Sequence, residues 1–183
     1  MGAVLDLIGS YIFKAAMIGI ILSTSVSLNE VMVEKSQLAI LEKNINVASS
    51  VLEWDMRNVG YNTFTNPFTL ASWSDLRFNA DVQDDGTVDQ VRWYLQGRWI
   101  YSGSGWIYRY DLIRTVNGTG NTVMARLVGF YFLYYDGSGN ITGTMSAIRG
   151  IRVILIAESA VQVNNQSLTT RREFMIFPAN LAL

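Results

Sequence analysis

The sequence contains neither cysteine nor histidine, and these two absences remove most of the chemistry that a chain of 183 residues could carry. Without cysteine there is no disulfide, no thiolate metal site and no thiol nucleophile, while the redox compartment stays open because a secreted protein need not use disulfides. Without histidine the commonest general base and the commonest metal ligand are gone. Charge is sparse as well, at 16% of residues with a net of −1, and both signs are dispersed. That leaves neither the basic stripe that nucleic acid demands nor an acidic tail, so nucleic acid is not expected as a primary partner. The remaining nucleophiles are Ser, Thr, Tyr and Lys, and no Gly-x-Ser-x-Gly elbow, Walker loop or Ser-x-x-Lys spacing pairs them with a base. Neither enzymatic activity nor a small-molecule substrate is expected.

Charge is scarcest at the start, where Asp6 and Lys14 are the only charged side chains between Met1 and Asn29. Leu7 to Leu28 is about 22 residues, and a helix of that length reaches roughly 33 Å, enough to cross a bilayer's hydrocarbon core. A secretory signal peptide would need a basic n-region, a short apolar core and a small-residue cleavage site. Here Met1-Gly2-Ala3 opens the chain with no Lys or Arg before Lys14, and the helical pattern runs on past the apolar part. The segment is therefore expected to be retained. Val31, Leu38, Ile45, Leu52 and Val59 then recur every seven residues, with Leu41 and Ala48 three further on. Such a seam wants a surface to cover it, either the chain's own globular part or another subunit. Both stay open, with the C-terminal half of the helix expected to take the first.

After about 60 residues of helix some 120 remain, one small domain's worth, and 50% hydrophobic with 12% aromatic residues suffices to fill a core. Tyr61-Asn62-Thr63-Phe64-Thr65-Asn66-Pro67-Phe68 ends the helix near Gly60 as a connection running to Ser74. Beyond it, runs rich in Val, Ile, Tyr, Trp and Phe predict strands at Asp75–Ala80, Asp89–Leu95, Arg98–Tyr101, Trp106–Ile113, Val123–Tyr135, Ala147–Ala157 and Arg171–Phe177. Asp84-Asp85-Gly86, Ser102-Gly103-Ser104-Gly105, Asn117-Gly118 and Asp136-Gly137-Ser138-Gly139 supply the hairpin turns of a meander. Ile151, Val153, Leu155 and Ala157 alternate with Arg152, Ile154, Ile156 and Glu158, which predicts a central strand with the long helix over one face. The fold is thus read as α+β. An N-terminal helix over 1–60, apolar in 1–29 and amphipathic in 30–60, packs on a small antiparallel β domain over 61–183.

Other features carry weaker signals. In Asp81-Val82-Gln83-Asp84-Asp85-Gly86-Thr87-Val88-Asp89 the oxygen-bearing residues Asp81, Gln83, Asp85, Thr87 and Asp89 fall at odd spacing with a Gly sixth, like a calcium loop. The twelfth place holds Arg92 instead of a bidentate Glu, so a plain hairpin turn competes with calcium. No other cofactor is expected, and no haem attachment motif occurs. Gly19 with Ser23, Thr24, Ser25 and Ser27 weakens helix propensity in mid-segment, and the same small residues let helices approach closely. The run Trp93, Tyr94, Trp99, Tyr101, Trp106, Tyr108, Tyr110, Tyr131, Phe132, Tyr134 and Tyr135 serves core packing and subunit contacts, with a stacking platform as the rarer reading. Glycosylation-type triplets at Asn117, Asn140 and Asn165 predict surface turns.

Several stretches taken in order resemble type IV pilins, and within them the W-type minor pilins and J-type pseudopilins. They are the helix ending Leu52-Glu53-Trp54-Asp55-Met56-Arg57-Asn58-Val59-Gly60-Tyr61, then Val88 to Leu95, Ile107-Tyr108-Arg109, Leu127 to Gly137, and Ile148 to Val153. The resemblance implies a structural subunit of an extracellular pilus-like filament at a bacterial cell surface, held in the inner membrane before assembly, with other copies of itself as partners. Its variant is a minor pilin or pseudopilin that primes or tips a pilus or a type II secretion filament. From a different class, a membrane-anchored binding module that never polymerises competes with both. The family carries a short basic leader and a Glu at the fifth mature position. Neither is visible here, although Asp6 is fifth when counting starts at Gly2. The resemblance further implies that Asp6 meets a neighbour's N-terminal amino group and that the helix loosens around Gly19 on assembly. On physical grounds a carboxylate in hydrocarbon needs a partner or an interface, and Lys14 is the competing partner. The residues expected to build the filament core are Asp6, Lys14, Gly19, Val31, Leu38, Ile45 and Leu52.

Overall fold

The computed structural model describes residues 2–64, 66–101, 105–163 and 166–181, with the side chains of 2–7, 122, 124–125, 160–163 and 166 left out of the description. One helix, α1 (Gly2–Arg57), spans 56 residues, about 84 Å at 1.5 Å per residue. It stops three residues before the expected Gly60. The Asn58 amide donates to the Trp54 and Asp55 carbonyls, and the Tyr61 amide donates to Asn58. Gly60 itself sits in the left-handed region at φ +81° and donates to the Asn79 carbonyl, so it turns the chain from the helix onto the sheet. A Cβ there would lie 3.3 Å from Pro67 Cγ and 3.4 Å from Asn180 Cβ. Gly60→Ala is therefore expected to lower unfolding free energy by roughly 1–2 kcal/mol, the left-handed penalty for an L-residue. Denaturant titration of the detergent-solubilised chain measures it, and an unmoved midpoint would refute it.

Seven antiparallel strands follow in a sheet ordered as in the sequence: β1 (Phe68–Ala71), β2 (Asp75–Ala80), β3 (Asp89–Tyr101), β4 (Trp106–Val116), β5 (Thr119–Tyr135), β6 (Gly150–Val163) and β7 (Gln166–Ile176). The meander and the bounds of β2 are as expected. β1 falls within the connection expected to run to Ser74, because four residues following Pro67 carry too little alternation to register. The two runs expected on either side of Gln96-Gly97 are one strand, since the ring of Tyr108 lies across Gly97 and the ladder Leu95↔Leu112, Gly97↔Tyr110, Trp99↔Tyr108 is unbroken there. β6 is paired on both sides but is next to last in the sheet, not central. It begins three residues later than expected, because Met145–Ala147 forms a 3₁₀ turn.

β5 changes partners along its length. Up to Leu127 it pairs with β4, from Leu127 it pairs with β6, and the bend falls beside Arg126, a non-glycine residue at φ +64°. Past Tyr110 towards Trp106, β4 has no β5 partner, and past Tyr94 β3 has no β2 partner. The β3–β4 hairpin therefore extends beyond the sheet as a two-stranded ribbon. The C-terminal half of α1 lies across β5, β6 and β7. Its Leu41, Ile45, Ala48, Leu52 and Met56 close the core over Phe78, Trp93, Phe130, Phe132, Ile151, Val153 and Leu155. The chain end returns to clasp the helix terminus, where Asn180 Nδ2 donates to the Val59 carbonyl and Leu181 is buried.

Candidate functional site

The heptad seam divides where the sheet ends. Ile45, Leu52 and Val59 are 0–3% exposed, spent on the chain's own core, whereas Leu38 is half-buried and Val31 is 45% exposed. Ile45 and Leu52, expected in a filament core, thus face the sheet: the amphipathic half is covered internally from Leu41 onward. What fixes that half is a carboxylate of the helix ending whose role does not show in the sequence alone. Asp55 is fully buried at the helix end and accepts from Arg114 Nε at 2.6 Å, Arg114 Nη2 at 2.8 Å and Trp93 Nε1 at 2.7 Å. The fork of Arg114 on Asp55 holds the guanidinium above its ordinary value, burial opposing. One carboxylate so binds α1 to β3 and β4 together. The signal available in sequence was an acid among apolar residues in the last turn of an amphipathic helix, where the helix dipole favours cations.

Among the described residues nothing covers the other half. Described residues from Ile8 to Val33 are exposed on every face, including Ile12, Phe13, Ile18, Ile20, Ile21, Leu22 and Leu28. The helix is long and apolar enough to cross a membrane. A helix apolar all round is either buried among others or in lipid. Lys14 is exposed, with Nζ 5.8 Å from the Tyr11 ring centroid. Gly19 stands in open space, the Thr24 hydroxyl donates back to the Ile20 carbonyl at 2.9 Å, and α1 runs unbroken through both. Asp6 lies on this helix, but its side chain is outside the described ones.

The acidic loop between β2 and β3 is organised by its own backbone amides together with Asn62 and Asn117 from outside it. Asp81, 3% exposed, accepts from Asn62 Nδ2 at 2.9 Å and from the amides of Gly86 and Asp85. Asp85 accepts from the Thr87 amide, and Asp89 accepts from Asn117 Nδ2 at 2.6 Å and Gln83 Nε2 at 3.4 Å. Among the described residues no three acidic side chains group as metal ligands. These bonds, that of Asn62 foremost, hold the Asp81 carboxyl below its ordinary 3.8. A depressed folded value means that Asp81 contributes stability above pH 3.8, lost as pH falls through the lower folded value. Asp81→Asn is accordingly expected to flatten the acid limb of the stability profile below pH 4, read by thermal melts across pH 2–6; an unchanged limb would count against it.

The aromatic run splits in two. Trp93, Phe132 and Tyr134 are buried, and Tyr134 Oη donates to the Ser72 carbonyl at 2.7 Å. Trp99, Tyr101 and Trp106 are exposed on one face of the β3–β4 ribbon, in edge-to-face pairs Trp99–Tyr108 at 5.1 Å and Tyr101–Trp106 at 5.6 Å. A concavity of about 690 Å³ lies beside the β5–β6 connection and β7, lined by Asp136, Arg149, Arg152, Glu173, Met175 and Phe177. Its charges are all engaged: Arg152, with Arg171 beside it, holds Glu173, Arg149 donates to the Ser146 and Ile148 carbonyls, and Asp136 accepts from the Ser138 and Asn140 amides. Asn117 and Asn140 fall in turns as expected, Asn117 engaged through its side chain, and Asn165 lies outside the described residues. A long apolar N-terminal helix over an antiparallel sheet is compatible with a pilin-like fold. No protein-family model and no curated protein matches the sequence.

Proposed function

We propose that this chain is a structural subunit of a type IV pilus-like filament, polymerising through the apolar half of α1 with the β domains arrayed outside. The observation that carries the reading is the continuity of α1. One unbroken helix is locked into the sheet at its C-terminal end by Asp55, and it projects an uncovered apolar rod over residues 8–33 at the other. A plain anchor needs only the rod. A rigid join between rod and domain transmits a fixed subunit orientation, which a polymer requires and a tether does not. Before assembly the rod lies in the membrane, and afterwards it packs on other copies.

The test is negative-stain microscopy of sheared cell-surface material from bacteria expressing the full chain. Long fibres composed of it support the reading, and a membrane-bound monomer without fibres overturns it. Asp6→Lys probes the assembly role of the acid that precedes the rod, and normal fibres from that variant would remove Asp6 from the account. The β3–β4 ribbon supports a second reading, a membrane-anchored binding module. Trp99, Tyr101 and Trp106 are each more than 60% exposed, well placed to stack on a ligand. Fibre formation that survives Trp99→Ala and Trp106→Ala separates the two.

A further inference from the structure

The sheet covers one heptad row of α1 and leaves another bare. Val26, Val33, Ile40, Val47 and Trp54 recur every seven residues and are 58%, 46%, 51%, 53% and 50% exposed. At about 100° per residue this row lies roughly a quarter to a third of a turn around from the covered row of Leu41, Ile45, Ala48 and Leu52. Lys35, Glu42 and Glu53 fall towards the far side of the helix from it. Asn29, Ser36, Asn44 and Ser50 border it as uncharged residues, and Glu30, Lys43 and Arg57 as charged ones.

Three features say what covers this row. Lipid imposes no seven-residue period, whereas 3.5 residues per turn keep facing the same neighbour only when that neighbour is another helix winding left-handedly around the first. Apart from two 3₁₀ turns, α1 is the only helix among the described residues, so the heptad helix that fits is the α1 of another copy. The row is also continuous with the apolar rod, since Val26 belongs to both. We infer that Val33, Ile40, Val47 and Trp54 form a seam on which the α1 helix of a second copy of this chain packs side by side, carrying the intersubunit contact about 30 Å beyond the rod. This deepens the filament reading and rests on it. Side chains at a seven-residue spacing meet their own kind again when one copy slides by one heptad. Partners therefore pair at the same residue or at one seven removed, with Trp54 as the large anchor at the end next to the sheet.

The absence of cysteine makes the test direct. Full-length Val33→Cys, Ile40→Cys and Val47→Cys chains are co-expressed pairwise in bacteria, and the sheared cell-surface material is oxidised with copper phenanthroline. Glu42→Cys serves as control on the far side of the helix, and Ile18→Cys as reporter of the rod. At least one seam pair should form disulfide dimers roughly tenfold faster than Glu42→Cys, because a packed seam raises the local thiol concentration. The double variant Ile40→Glu with Val47→Glu should lower seam association while the β domain's melting stays in place, both residues being exposed. Crosslinking at Ile18→Cys with seam pairs no faster than Glu42→Cys would overturn the seam and keep the filament reading. Crosslinking at neither would overturn both. Seam dimers without Ile18→Cys dimers would support the seam and overturn assembly through the rod.

Discussion

Asp55→Ala is expected to destabilise the folded domain by about 3–5 kcal/mol, the cost of breaking a buried pair by removing one partner. The carboxylate is fully buried, and its loss leaves the Arg114 guanidinium, largely covered, and the Trp93 indole N–H without their acceptor. A small domain holds about 5–15 kcal/mol in total, so the variant should sit near its unfolding threshold. The double variant Asp55→Ala with Arg114→Met separates two explanations. If the damage comes from the orphaned cation, replacing Arg114 with an apolar side chain of similar length should recover a good part of it, because a buried pair often trades evenly against hydrophobic packing. If Asp55 matters through local helix packing, the double variant should be no better than the single one. Denaturant unfolding of the three variants reads the coupling directly. The consequence for function follows from where the pair lies. Asp55 is the polar tie between the helix end and strands β3 and β4, so its loss should loosen the angle between rod and domain even in molecules that stay folded. Fewer or irregular fibres are the expected sign.

The pattern of what sequence could tell follows from the range of each interaction. The rod was legible because an unbroken apolar run is a local signal, and β2 was legible to the residue because Leu76, Phe78 and Ala80 alternate cleanly into the core. The bend at Arg126 was not, since a left-handed residue in mid-strand is imposed by two neighbouring strands that claim different halves of β5. The seam showed the same limit in another form. Val31, Leu38, Ile45, Leu52 and Val59 were visible as a period, but a period does not say which surface meets it, and the sheet claims it only from Leu41. The second row, Val33 to Trp54, has the same period and became distinct once the first was seen to be spent. Asp55 stands in the helix ending, yet its partners lie 38 and 59 residues away, beyond any local pattern. In the acidic loop the spacing suggested ligands, while the folded chain turns Asp81 inward to backbone amides and Asn62, a use of carboxylates that spacing alone does not distinguish from metal binding.

Ile18→Arg should produce the largest functional loss of any exposed substitution, and it should do so without touching the fold of the β domain. Ile18 is 58% exposed in the isolated chain and lies well inside the apolar rod. Placing Arg at the centre of a membrane helix costs about 2.5–3.5 kcal/mol on the insertion scale, and the isoleucine it replaces contributed favourably, so membrane retention should fall by roughly a hundredfold or more. The same change acts again after assembly, because a rod packed among other rods offers the guanidinium no water and no counter-charge: Asp6 is the only acid the sequence places between Met1 and Asn29. Two environments that share low polarity thus penalise one substitution twice. Carbonate extraction of membranes measures the first loss, and fibre yield the second. Val33→Arg supplies the contrast, since a residue at the rod's end can extend its charge towards the interface at far lower cost, keeping membrane retention while burdening any helix packed on the bare row. If Ile18→Arg chains remained in carbonate-washed membranes and still gave fibres, the rod would be neither in lipid nor at the filament's centre. If they left the membrane while Val33→Arg chains stayed and lost only their fibres, anchoring and assembly would be assigned to two adjoining parts of a single helix.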